Sequence, residues 1–83
     1  MRFQLVAEIA DEELFRKAMH EAGTIFYRKL ENGEYELVYF SGSRIVRFRG
    51  KLSKEFGDHI EAVGFPVAEI EVDPANFLIK IKQ

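Results

Sequence analysis

The sequence predicts an α+β domain: two layers, a six-stranded, mainly antiparallel sheet with two helices on one face, in the order β-α-β-β-β-α-β-β. Three observations lead there. Apolar and polar residues alternate with period two over 2–9, 67–72 and 77–82, the mark of half-buried strands. Apolar residues recur at helical spacing over 11–22 and 52–63. Between the two helices, 24–30, 35–40 and 44–49 are rich in β-branched and aromatic residues and are separated by glycine-containing turns.

Each element has its own local reason. In 2–9, Phe3, Leu5, Ala7 and Ile9 fall on one side of a strand. The first helix follows Asp11, with Leu14, Phe15, Ala18, Met19 and Ala22 on one face, acids at its positive end and Gly23 placed to stop it. Glu31-Asn32-Gly33-Glu34 predicts a two-residue hairpin, because both central residues of that turn need positive φ. Ser41-Gly42-Ser43 is a second short turn. The second helix carries Leu52, Phe56, Ile60 and Val63 on one face and closes at Gly64, although Gly57 inside it costs about 1 kcal/mol relative to alanine. A last hairpin turns at Asp73-Pro74-Ala75-Asn76 and sets Glu69 opposite Lys80, with Glu71 near Lys82.

The whole chain, 1–83, is one domain, since a second core does not fit in this length. Laying Gly23 on Gly64 puts Phe15 on Phe56, Met19 on Ile60, Ala22 on Val63 and Leu5 on Val46. The halves 2–40 and 43–82 read as tandem βαββ pseudo-repeats with a ferredoxin-like flavour, or as two units made alike by periodicity alone.

Pairing through two-residue turns sorts the strand faces. Ile25, Tyr27, Val38, Phe40, Val46 and Phe48 fall under the helices, joined by 2–9 and by Ala68, Ile70, Val72, Phe77, Ile79 and Ile81. The opposite face then carries Phe26, Arg28, Tyr35, Leu37, Tyr39, Ile45 and Arg47, too apolar for open water. Aromatic and arginine residues are those enriched at protein interfaces. The expected function is therefore a small non-enzymatic binding or assembly module that self-associates, as a homodimer, or docks another protein through that face. The alternative is single-stranded nucleic acid or RNA: bases would stack on the aromatics, and Arg28, Arg47, Arg49, Lys51 and Lys54 would take phosphates. A weaker anion site is expected at Gly50-Lys51-Leu52-Ser53, where a strand runs into a helix.

Composition bounds the rest. Twelve Lys and Arg against fourteen Asp and Glu give a net charge of −2, which argues against a whole-molecule polyanion binder. No cysteine means no disulfide framework, thiolate nucleophile or Cys-ligated zinc, and a cytoplasmic location is expected. The apolar runs are too short to cross a membrane. The high charge content suits a heat-adapted host. His20 and His59 lie on predicted helices with no orienting carboxylate, and Ser41, Ser43 and Ser53 lack a nucleophile context, so no catalytic residue, metal site or cofactor is expected.

Overall fold

The computed structural model of the protein describes residues 4–19, 22–73 and 78–82, and of 4–6, 72–73 and 78–82 the backbone alone. Strand β1 (Gln4–Ile9) leads into helix α1 (Glu12–Ala18). Asp11 caps that helix by accepting the Leu14 N–H at 3.0 Å, and Glu12 and Glu13 lie at its positive end. The helix closes at Met19, whose N–H donates to the Phe15 carbonyl at 3.1 Å, earlier than the predicted 11–22. Leu14 is consequently exposed, while Phe15, Ala18 and Met19 form the packed stripe. Gly23 is no helix stop: a Cβ there would overlap the Phe40 carbonyl and the Tyr39 ring, so glycine lets the chain re-enter the sheet.

The chain continues through β2 (Thr24–Lys29), β3 (Glu34–Ser41), β4 (Arg44–Lys51), α2 (Lys54–Val63), the two-residue β5 (Phe65–Pro66), β6 (Glu69–Asp73) and β7 (Leu78–Lys82). The single six-stranded, ferredoxin-like sheet is not what forms. Strands β1-β4-β3-β2-β5 make one five-stranded sheet, and β6-β7 make a separate two-stranded one. The larger sheet is mixed: β2-β3 and β3-β4, which make most of its pairing, run antiparallel, while β1-β4 and the two-residue β2-β5 run parallel. The cause is topological: each helix carries the chain back over the sheet, and a strand reached by such a crossover runs parallel to the one it left. Pro66 cannot donate to a ladder, which ends β5 after two residues, and Val67 N–H then bonds the Tyr27 carbonyl at 3.0 Å. In the small sheet Glu69 pairs with Lys82 and Glu71 with Lys80, two residues from the expected register.

The larger departure is in β3. The turn at Asn32 (φ 59°) and Gly33 (φ 76°) has the expected left-handed residues, with Glu34 N–H donating to the Glu31 carbonyl at 3.1 Å. Leu30 N–H, however, also reaches the Glu34 carbonyl, at 2.8 Å, so Leu30 and Glu31 both oppose Glu34. This bulge shifts the ladder by one residue, to Lys29↔Tyr35 and Tyr27↔Leu37. On the other side Gly42 (φ 62°) opens a two-residue turn in the II′ manner, giving Tyr39↔Val46 and Leu37↔Phe48. A slip of one residue turns a strand over. Tyr35, Leu37 and Tyr39 thus lie under the helices, and Val38 and Phe40 face away, the reverse of the expectation.

The core under the helices is Phe15, Tyr35, Leu37, Tyr39, Val46, Phe48, Phe56 and Ile60, with Ile9, Ile25, Tyr27 and Leu52 at its margin. The Phe15 and Phe48 rings meet tilted, 5.3 Å apart, and are wholly buried, each worth about 1.5–3 kcal/mol. Gly57 now has a reason: a Cβ there would stand 3.1 Å from the Tyr35 hydroxyl oxygen, so the helix gives up propensity to seat the ring. Phe3, His20 and Phe77, and the turn 74–76, lie outside the described residues.

Candidate functional site

With β3 turned over, the sheet face away from the helices carries charge at its centre. Glu8 (β1), Arg47 (β4), Glu36 (β3) and Arg28 (β2) form a ladder across four strands. Alternation places them there: Ile25 and Tyr27 face the helices, so Phe26 and Arg28 face away, and the register sets Arg28 opposite Glu36 and Glu8 opposite Arg47. Arg47 Nη2 donates to Glu36 Oε2 at 2.7 Å and Nη1 to Glu8 Oε1 at 3.2 Å. Arg28 Nε donates to Glu36 Oε1 at 3.2 Å. Glu36 is only 2% exposed, so its charge stands in low dielectric and both guanidinium groups are needed to satisfy it.

Beside the ladder runs an aromatic stripe. Phe26 meets Phe40 edge-on at 5.6 Å and Phe65 at 5.8 Å, a row crossing β3, β2 and β5. Phe65, at its end, is 55% exposed. Val38 and Ile45 on this face are buried, so its middle is covered; Glu69, Ile70 and Glu71 of β6 share a cavity with Arg28.

The sequence-predicted site is thus divided. Tyr35, Leu37 and Tyr39 are core under the helices and are removed from the partner-binding face; Ile45 faces away from the helices but is buried; Phe26, Arg28 and Arg47 remain together on the outer face. Tyr35 donates its hydroxyl to Glu61 Oε2 at 2.8 Å, and Lys29 reaches the same carboxylate at 3.8 Å. Burial of the ring, then the Glu61 hydrogen bond and charge, push the Tyr35 phenol up to about 12.

The basic set is divided too. Arg28 and Arg47 are held by Glu36 and Glu8, and Lys54 pairs with Asp58 one helical turn on, at 3.2 Å, whereas Arg49 and Lys51 are exposed on β4. At the anion site expected before α2 the anion is the chain's own: Glu12 accepts from the Ser53 N–H at 2.6 Å and the Ser53 hydroxyl at 3.2 Å. Ser53 Oγ in turn accepts the Phe56 N–H at 3.3 Å. Glu12, Glu36 and Glu61 were missed as organising residues, and Glu36 alone had a sequence signal, a lone carboxylate inside an apolar strand.

His59 stacks on Phe56 at 6.1 Å, while Arg16 lies over the same ring at 4.9 Å. Among the described residues no three His, Cys, Asp or Glu side chains gather as a metal site, and no helix is long and apolar enough to cross a membrane. No protein-family model, curated protein or solved structure matches the chain.

Proposed function

We propose that the protein is a non-enzymatic assembly module that pairs with a second copy of itself through the β5 margin of the sheet. The observation that carries the reading is the exposed end of the aromatic stripe. Phe65, 55% exposed and one of the three large apolar side chains exposed among the described residues, stands there, in a row with Phe26 and Phe40. An aromatic anchor over a packed apolar base, ringed by charge, is how interfaces concentrate their energy. β5 covers β2 only at Phe26 and Tyr27, so backbone of the β2 edge is also open to pairing.

A second copy fits this margin because it carries both signs of charge. Lys29 and Glu61 lie on β2 and α2 beside it, paired with each other at 3.8 Å, so the margin presents a neutralised pair and no net charge to repel a second copy. A chain of 83 residues also gains from association, since a domain this small buries a smaller share of its surface than a larger one does. Nucleic acid has less support: three of the five expected phosphate ligands, Arg28, Arg47 and Lys54, are already paired with carboxylates.

Solution mass by light scattering, at low and high salt, tests the reading with the wild type and Phe65→Glu. The expected result is a salt-resistant dimer that becomes a folded monomer in the variant. A wild-type monomer at both salts, or a variant that stays dimeric, overturns it.

A further inference from the structure

The tip of the β2-β3 hairpin, Asn32-Gly33, is a chemical site as well as a turn. Both residues are exposed, and nothing stands within 4 Å of where a Gly33 Cβ would be. The Gly33 N–H donates to no described residue, and the Asn32 carboxamide has no partner among them either. A side-chain amide carbon and an unengaged backbone nitrogen are thus neighbours in the chain, in open solvent, and glycine puts no side chain between them.

We propose that Asn32 is a modification site, deamidated by attack of the Gly33 nitrogen, and that the isoaspartate so formed loosens the register of β3. Hydroxide takes the Gly33 amide proton, the nitrogen bonds to Asn32 Cγ, and the Cγ–Nδ2 bond breaks with loss of ammonia, leaving a five-membered cyclic imide. Water then opens the imide. Addition at the Asn32 backbone carbonyl breaks its bond to the Gly33 nitrogen and leaves isoaspartate, whereas addition at Cγ leaves aspartate. Overall one water is taken up and one ammonia released, and no other reactant is needed.

The turn sets the pace of this reaction. At φ 59° Asn32 lies in the left-handed region, where the following carbonyl oxygen crowds Cβ and the Gly33 nitrogen points away from the side chain. Attack therefore waits for the tip to open. Opening breaks the Glu34 N–H bond to the Glu31 carbonyl at 3.1 Å and the long Leu52 N–H bond to the Gly33 carbonyl at 3.4 Å, but leaves the 2.8 Å bond from Leu30 N–H to the Glu34 carbonyl behind it. Isoaspartate carries the main chain through Cβ, one atom longer, and adds a carboxylate in sequence between Glu31 and Glu34. Turn type and loop length fix the register of a hairpin, so the lengthened tip holds less firmly the bulge that turns Tyr35, Leu37 and Tyr39 under the helices.

The test is mass spectrometry of the chain incubated at pH 8 and 37 °C, folded and unfolded in guanidinium chloride. A gain of one mass unit, placed at residue 32 by fragmentation and mostly isoaspartate, is expected in both, roughly ten- to a hundredfold slower in the fold. That gain is expected to disappear in Asn32→Gly, whose Gly-Gly turn keeps the left-handed backbone. The isoaspartate form, separated by chromatography, is expected to melt roughly 4–8 °C below the Asn32→Asp variant, the shift that losing one hydrogen bond brings to a domain of this size. A folded chain unmodified after a hundred half-lives of the unfolded one, or a gain that Asn32→Gly retains at the same rate, overturns the site. Equal rates folded and unfolded overturn the control by the turn, and an isoaspartate form that melts with Asn32→Asp overturns the effect on β3.

Discussion

Replacing Arg47 by methionine removes the middle cation of the Glu8–Arg47–Glu36–Arg28 ladder while keeping the length and apolar stem of the side chain. Glu36 then keeps Arg28 on Oε1 but loses the 2.7 Å bond on Oε2, at a position 2% exposed. Leaving one member of a buried ion pair uncompensated costs about 3–5 kcal/mol. Arg47 is 24% exposed and Arg28 remains, so water and the second guanidinium recover part of that, and a loss of about 2–3 kcal/mol is expected. For a domain of this size that lowers Tm by roughly 10–20 °C. Adding Glu36→Leu removes the stranded charge and leaves Arg28 and Glu8, both able to reach water. The double variant is therefore expected within about 1 kcal/mol of wild type. Urea unfolding of wild type, both single variants and the double variant measures the coupling as a double-mutant cycle. A loss under about 0.5 kcal/mol for Arg47→Met, or strictly additive effects, would show that Glu36 is not a buried charge dependent on Arg47.

Other variants probe the remaining contacts. Because the Tyr35 phenol titrates near 12 in the fold against about 10 unfolded, the stability it supplies is complete below pH 10 and is lost as pH rises toward 12. Wild type should lose stability relative to Tyr35→Phe across that window, and parallel curves for the two proteins would exclude the Glu61 contact. Gly57→Ala should bring none of the usual gain of about 1 kcal/mol in helix propensity, since its methyl meets the Tyr35 hydroxyl, but should stabilise in the Tyr35→Phe background; thermal melts of the four proteins decide it. Glu12→Ala removes both bonds to Ser53 and should cost about 0.5–2 kcal/mol in a urea titration, as a lost helix cap does. Leu37→Glu together with Tyr39→Glu places two carboxylates in the core and should abolish the folded circular-dichroism spectrum, whereas a folded double variant would return these residues to the surface.

The helices and the first hairpin turns were legible because each has a local cause: apolar residues at helical spacing behind Asp11 and ahead of Gly64, and glycine-containing turns at Asn32-Gly33 and Gly42. What escaped was the register of β3, set by one extra residue at Leu30 and Glu31. Both faces of β3 are apolar, Tyr35, Leu37 and Tyr39 on one and Val38 and Phe40 on the other, so periodicity could not choose between them. The charge bears on the choice: the expected register sets Glu36 opposite Lys29 alone, under the apolar faces of the helices, where a carboxylate is costly. In the observed register Glu36 falls between Arg28 and Arg47. The parallel crossovers and the two-residue β5 were likewise hidden, since no local pattern records which strands the helices join.

Nuclear Overhauser contacts of the Tyr35 ring test the placement of β3 most directly, because its packing on Gly57 exists only in the bulged register. Contacts from the Tyr35 ring protons to Gly57 Hα, with none from Val38 or Phe40 to Phe56 or Ile60, are the expected result. Contacts from Val38 and Phe40 to Phe56 and Ile60 would contradict it, placing the tyrosines on the outer face and the charge of Glu36 beneath the helices.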